Sequence, residues 1–307
     1  MNGKIHGTLL CLCLLLAAVR FDAKASPAPD RLERLAQLRE ASKRERAVAL
    51  PAGAKAVRNV AYGTDPAQRF DVYLPKGVQR APVFFFVHGG GWANGDKTNP
   101  GIENKIDFWL ANGYAVISAN YRMLPKAAPQ QQARDVAQAV AAAQHGAGEW
   151  NLDPKRFVLV GHSAGAHLVA LLGADPKRLA DAGARRPLGV ISLDSGALDV
   201  PALMGMPRLP KLYRDAFGDD KNYWVATSPQ HQLDRAALPM LIVCSSERRF
   251  PASPCEEGRK LAQKAAQLGV RMEVLPEPMS HAEINRELGV PSAYTEAVAG
   301  FIRSLVQ

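Results

Sequence analysis

Two glycine-rich turns, each directly behind an apolar run, restrict the folds open to this chain more than any other feature of its sequence. Val83-Phe84-Phe85-Phe86-Val87 leads into His88-Gly89-Gly90-Gly91-Trp92, and Phe157-Val158-Leu159-Val160 leads into Gly161-His162-Ser163-Ala164-Gly165. Short continuous apolar runs read as strands buried on both faces, as in parallel sheets covered by helices. An alanine- and leucine-rich helix over residues 166–173 follows the second turn, so Ser163 lies on a sharp strand-to-helix bend. Such a bend strains the serine backbone and exposes its hydroxyl, and glycines two positions either side let neighbouring backbone approach closely.

The same alternation runs through the rest of the chain. Strands are predicted at residues 56–62, 69–74, 83–87, 114–119, 156–160, 188–193, 240–243 and 271–275, and helices at 102–112, 130–144, 256–268 and 294–306. Residues 69–74 alternate Phe70, Val72 and Leu74 with Arg69, Asp71 and Tyr73, the pattern of a half-buried antiparallel strand. Strands alternating with helices predict an α/β domain with a mostly parallel sheet covered on both faces. Residues 200–236, with Pro201, Pro207, Pro210 and Pro229, interrupt the alternation. They read as a small cap over the site or as a surface excursion, and a cap this small argues against a long acyl tunnel.

These motifs resemble those of the α/β-hydrolase superfamily, in its HGGG(W)-type esterase/lipase group. That group contains hormone-sensitive-lipase-like carboxylesterases, with kynurenine-formamidase-like and feruloyl-esterase-like relatives. The resemblance runs from about Arg58 to the C-terminus and includes Asn120-Tyr121-Arg122, Asp153-Pro154 and His281. It implies an eight-stranded-type sheet, Ser163 as nucleophile, and backbone N–H groups of Gly90, Gly91 and Ala164 holding the oxyanion.

Of the six histidines beyond the leader, only His281 lies on a loop behind a late strand, where the base of such a triad belongs. His88 is expected to orient the oxyanion loop, and His167 to be a packed, hydrogen-bonded residue. The acid is expected after the strand 240–243, in the loop from Cys244 to Cys255. That loop holds no aspartate, and Glu247 is its only carboxylate, so Glu247 is the first candidate. Glu256, Glu257 and Asp194, which ends the strand after the nucleophile helix, are the alternatives. Trp92 lines the substrate pocket or packs as a core aromatic. The expected chemistry is attack by Ser163 on a short-chain carboxylic ester, an acyl-enzyme, and release by water, with neither metal nor other cofactor. Activity is expected to fall as pH drops through about 6–7, where a histidine base takes up its proton. Amide or formamide cleavage, or ligand binding without catalysis, are the rival readings.

Residues 1–25 read as a secretory signal: Lys4, an apolar stretch over 9–19, and Ala23-Lys24-Ala25 before Ser26. An uncleaved anchor or a lipidated Cys11 or Cys13 is the alternative. Residues 26–50 read as a helical tether and 51–307 as the hydrolase domain, periplasmic or secreted. Cys244 and Cys255 are then the two remaining cysteines, bridged or present as buried thiols. The formal charge of +9 reads as solubility or attraction to an anionic envelope surface. No basic run interleaved with aromatics suggests nucleic acid. The expected partner is a small-molecule ester, with no stable membrane insertion.

Overall fold

The computed structural model describes residues 48–306. The signal segment 1–25 and the tether up to residue 47 lie outside the described residues. Eight strands form one sheet: β1 (Lys55–Ala61), β2 (Arg69–Leu74), β3 (Ala81–Val87), β4 (Ala115–Ala119), β5 (Leu152–His162), β6 (Gly189–Leu193), β7 (Met240–Ser245) and β8 (Met272–Glu277). Their order is β1-β2-β4-β3-β5-β6-β7-β8. β2 runs antiparallel to both β1 and β4, and β3 to β8 are mutually parallel. This is the α/β-hydrolase fold.

Pleating sorts the apolar runs between two cores. Phe84 and Phe86 face the helices Ile102–Ala111 and Ala293–Val306, with the Phe84 ring stacked on Trp109 at 4.7 Å. Val83, Phe85 and Val87 face the helices Pro129–His145, Ala164–Ala174 and Pro254–Gln267. Burial on both sides explains why β3 reads VFFFV without alternation, each side chain contributing about 1.5–3 kcal/mol on leaving water.

The strand β2 is more deeply buried than its alternating sequence predicts. Phe70 to Tyr73 are all buried, and Asp71 is fully so. A carboxylate at that depth needs partners, and Asp71 has four: Lys97 Nζ at 2.9 Å, Arg58 at 3.6 Å, the Asn59 amide at 2.7 Å and Tyr73 Oη at 3.3 Å. Alternation here marks a polar network inside the fold rather than a face open to water.

Residues 200–236 fold into four short helices, Val200–Met204, Lys211–Phe217, Lys221–Ala226 and Pro229–Gln232. They contribute Leu203, Tyr213 and Phe217 to the core shared with the nucleophile helix. Cys244, near the end of β7, is bridged to Cys255 in the first turn of Pro254–Gln267.

Candidate active site

The site lies at the carboxyl edge of the parallel strands, where successive turns approach one another. Ser163 follows β5 with φ 56° and ψ −116°, in a region an L-residue occupies only under constraint. Its amide donates to Leu193 O at 2.9 Å, and its carbonyl accepts the first bond of the following helix from His167 N at 3.1 Å. The bend is tight enough to require its glycines. A Cβ on Gly161 would fall 2.3 Å from Gly165 O, and one on Gly165 would fall 2.2 Å from Val87 O.

The first glycine turn lies beside that bend. A Cβ on Gly89 would stand 2.8 Å from both His162 O and Ser163 Cβ, so the chain between His88 and Gly90 passes directly against the serine. Gly90, Gly91 and Trp92 all have positive φ, and Gly90 O accepts from the amides of Ala93 and Asn94. Tyr121 Oη donates to His88 O at 2.9 Å, and the two rings stack at 4.6 Å, which fixes the mouth of the loop. Ala164 begins the helix Ala164–Ala174, and first-turn amides of a helix lack intrahelical acceptors.

His281 stands at the start of the helix His281–Arg286, whose Ser280 and Glu283 form a reciprocal capping box. Its Nδ1 donates to Asp194 Oδ2 at 2.6 Å. Asp194 follows β6, has φ 52° and is fully buried. Its other oxygen accepts from Ser245 N at 2.7 Å, and Arg248 Nε lies 3.3 Å from Oδ2. Burial alone would raise the Asp194 carboxyl. The hydrogen bond from His281, the Arg248 charge and the Ser245 amide outweigh it and hold the group below the usual carboxylate range. With Nδ1 occupied, the His281 ring keeps Nε2 for other work, and its side chain is 36% exposed.

Here the structure departs from the expected acid. Glu247 is exposed on the loop after β7, and the carboxylate on His281 is Asp194. The loop turns its backbone inward at Ser245 and its guanidinium inward at Arg248, leaving Glu247 outside. Glu256 is also exposed, and Glu257 is buried elsewhere, accepting from Leu198 N at 2.9 Å. Burial pushes the Glu257 carboxyl up to about 7.

Trp92 packs as a core aromatic, 3% exposed. Its ring meets Phe217 at 5.0 Å and Tyr213 at 5.7 Å, both on the insertion. Trp92 Nε1 donates to His167 Nδ1 at 3.2 Å, and His167 Nε2 donates to Thr227 O at 2.8 Å. His167 is therefore neutral with its proton on Nε2, and burial pushes it down to about 4. The relay Trp92–His167–Thr227 ties the first glycine turn to the insertion. Leu212 of the insertion lies 3.8 Å from where a Gly91 Cβ would stand, so an apolar side chain overlooks that glycine.

His162, the residue before the serine, donates Nε2–H to His281 O at 2.9 Å, and the two rings lie 4.6 Å apart. Although partly accessible, its ring is desolvated and faces His281, and these two effects push it down to about 3. This contact joins segments 119 residues apart, and no local sequence signal marks it.

The BD-FAE family model matches residues 70–184, which hold both glycine turns and the helix Ala164–Ala174. Esterase LipC of Mycobacterium tuberculosis is 28% identical over 67% of this chain and 54% of its own length. A probable isoprenylcysteine alpha-carbonyl methylesterase of Oryza sativa is 36% identical over 37% of this chain and 26% of its own. The chain thus spans about half the length of the first of these curated relatives and about a quarter of the second. Among solved structures, a truncated carbohydrate esterase from gut microbiota superposes with a TM-score of 0.69 at 18% identity, covering 82% of this chain and 96% of that one. Fold, motifs and relatives agree: the chain has the α/β-hydrolase fold and is similar, through the part that holds both glycine turns, to esterases of that fold.

Proposed function

We propose that this protein is a serine carboxylesterase acting on short-chain esters, with Ser163 as nucleophile, His281 as base and Asp194 as the acid. The observation that carries the reading is the 2.6 Å contact of His281 Nδ1 with a buried Asp194, at the same sheet edge as a serine held at φ 56°. Asp194 keeps the His281 proton on Nδ1, so Nε2 takes the Ser163 proton as Oγ attacks the carbonyl and then passes it to the leaving alcohol. The amides of Gly90, Gly91 and Ala164 receive the oxyanion, where loss of one donor typically costs about 3–4 kcal/mol. Water, deprotonated by His281, releases the acid. The preference for short acyl groups rests on the small insertion and on Leu212 beside Gly91. The Cys244–Cys255 bridge favours an oxidising compartment, in keeping with a periplasmic or secreted enzyme.

The test is turnover of p-nitrophenyl esters from acetate to dodecanoate, beside Ser163→Ala, Asp194→Asn and Glu247→Gln. Ser163→Ala should abolish turnover, and Asp194→Asn should lower kcat by about 10³–10⁴-fold. Glu247→Gln should match the parent. An unimpaired Asp194→Asn enzyme would remove Asp194 from the triad. Absence of ester turnover together with formamide cleavage would replace the esterase with an amidase.

A further inference from the structure

The carboxylate of Asp194 does not face His281 alone. Arg248, on the loop after β7, donates Nη2–H to the carbonyl oxygen of Asp194 at 3.1 Å and sets Nε 3.3 Å from Oδ2, the oxygen that also takes the His281 proton. The guanidinium therefore grips main chain and side chain of one residue. It packs over Gly196, where a Cβ would stand only 2.9 Å from Nη2. Its segment is held as well: Arg248 N donates to Ser245 Oγ at 3.2 Å, Ser245 N donates to Asp194 Oδ1 at 2.7 Å, and Cys244 is bridged to Cys255 just outside.

Resting on the triad reading above, we propose that Arg248 is a positioning residue that fixes the Asp194 carboxylate and limits how strongly that carboxylate stabilises protonated His281. A buried carboxylate facing an imidazole alone favours the imidazolium. A guanidinium sharing the same oxygen offsets part of that charge, so removing it strengthens the pull of the carboxylate on the imidazolium. The bond to the Asp194 carbonyl and the ion pair to Oδ2, with the Ser245 amide on Oδ1, also hold Asp194 in place beside His281.

Other groups bear on this pair from each packed element. The His162 ring lies 4.6 Å from that of His281, tilted against it from the β5 turn, and Lys105 on the helix Ile102–Ala111 acts on His162. Tyr294 lies on the Asp194 side from the C-terminal helix and also feels Glu277 at the end of β8. Tyr213 from the insertion and Glu257 from Pro254–Gln267 face Arg248. Burial holds both tyrosines protonated, and His162 is pushed to about 3, so none of these three carries charge near neutral pH. Among the described residues, Arg248 is the cation in direct contact with the carboxylate besides His281 itself.

The experiment is kcat/KM against pH for p-nitrophenyl butyrate in the full chain and in Arg248→Met, Arg248→Gln and Arg248→Lys, with fluorophosphonate labelling of Ser163 in the parent. Arg248→Met removes the charge. Arg248→Gln removes it while keeping an amide donor for the Asp194 carbonyl, which serves if the Met variant does not fold. In both, the acid-side midpoint should rise by about one pH unit, the scale for a partly solvated charge close to a titrating group. Arg248→Lys should hold the midpoint near that of the parent. A midpoint unchanged in the folded neutral variants overturns the proposal, as does a Lys variant that shifts as far as Met. A parent that neither turns over ester nor labels at Ser163 fails at the triad reading itself and takes this proposal with it.

Discussion

His162 illustrates how a residue that the turn itself leaves free can be fixed by a distant neighbour. It occupies the variable position of the serine turn, so the chemistry of the turn places no demand on it. Its neighbours do: Nε2–H holds the His281 carbonyl at 2.9 Å, and the ring lies 4.6 Å from the base. Desolvation and the facing His281 push it to about 3, so it acts as a neutral donor throughout the working range. His162→Phe keeps a ring and removes the donor. The expected result is a loss of about 3–10-fold in kcat with KM little changed, the scale of one net hydrogen bond acting on the base rather than on substrate. His162→Gln, which keeps an N–H, should recover part of it. Steady-state kinetics on one ester decide, and a loss carried by KM would place His162 against substrate instead.

At the scale of elements, the loop between β7 and the helix Pro254–Gln267 does several things that its sequence conceals. Read as a string, Cys244 to Cys255 offers Glu247 as its one carboxylate, and strand order makes that the natural place for an acid. In three dimensions the carboxylate on His281 comes one strand earlier, from Asp194 behind β6, and the loop supplies the groups around it: the Ser245 amide and the Arg248 guanidinium. Both glycine turns were legible because each depends on local sequence, an apolar run followed by a bend. Asp194 was legible only as an alternative, because an aspartate behind an apolar strand occurs wherever a strand ends, and its role depends on contact with a histidine 87 residues away. The bridge that closes this loop has a measurable share. Cys255→Ser reopens a loop with a sequence separation of 11. The expected cost is about 2–3 kcal/mol of stability from the freed chain, read as a Tm lower by roughly 5–10 °C. kcat/KM should fall as well, because Ser245 and Arg248 lose their anchorage beside Asp194. Unchanged melting and unchanged turnover would show that packing alone holds the loop.

For the molecule as a whole, the sheet was the most readable part, since runs such as Val83–Val87 and Phe157–Val160 have no other stable place than between two helical layers. Charges inside those layers were not readable, because a lysine on a helix is expected to face water. Lys105 does not. It is fully buried between the helix Ile102–Ala111 and the helix that begins at His281, its Nζ donating to Gly101 O and Asn285 O with the Phe86 ring 5.1 Å away. It thereby pins the helix that begins at His281 to the body of the fold. Burial pushes its ammonium down from 10.5 to about 7, against the opposing pull of Glu103. Between those two values the unfolded chain holds this proton and the folded chain does not, so through this group stability rises with pH, by at most about 1.4 kcal/mol per unit. Below about 7 both states are protonated, and the penalty for the buried charge is present in full. Lys105→Met lacks the group and should be flat in this respect. Paired melts at pH values on either side of the window should therefore show the parent gaining on Lys105→Met as pH rises. A difference in Tm that does not vary with pH would mean that the two carbonyls keep the ammonium charged in the fold, and that Lys105 serves as a permanent cation beneath the base rather than one that titrates near neutrality.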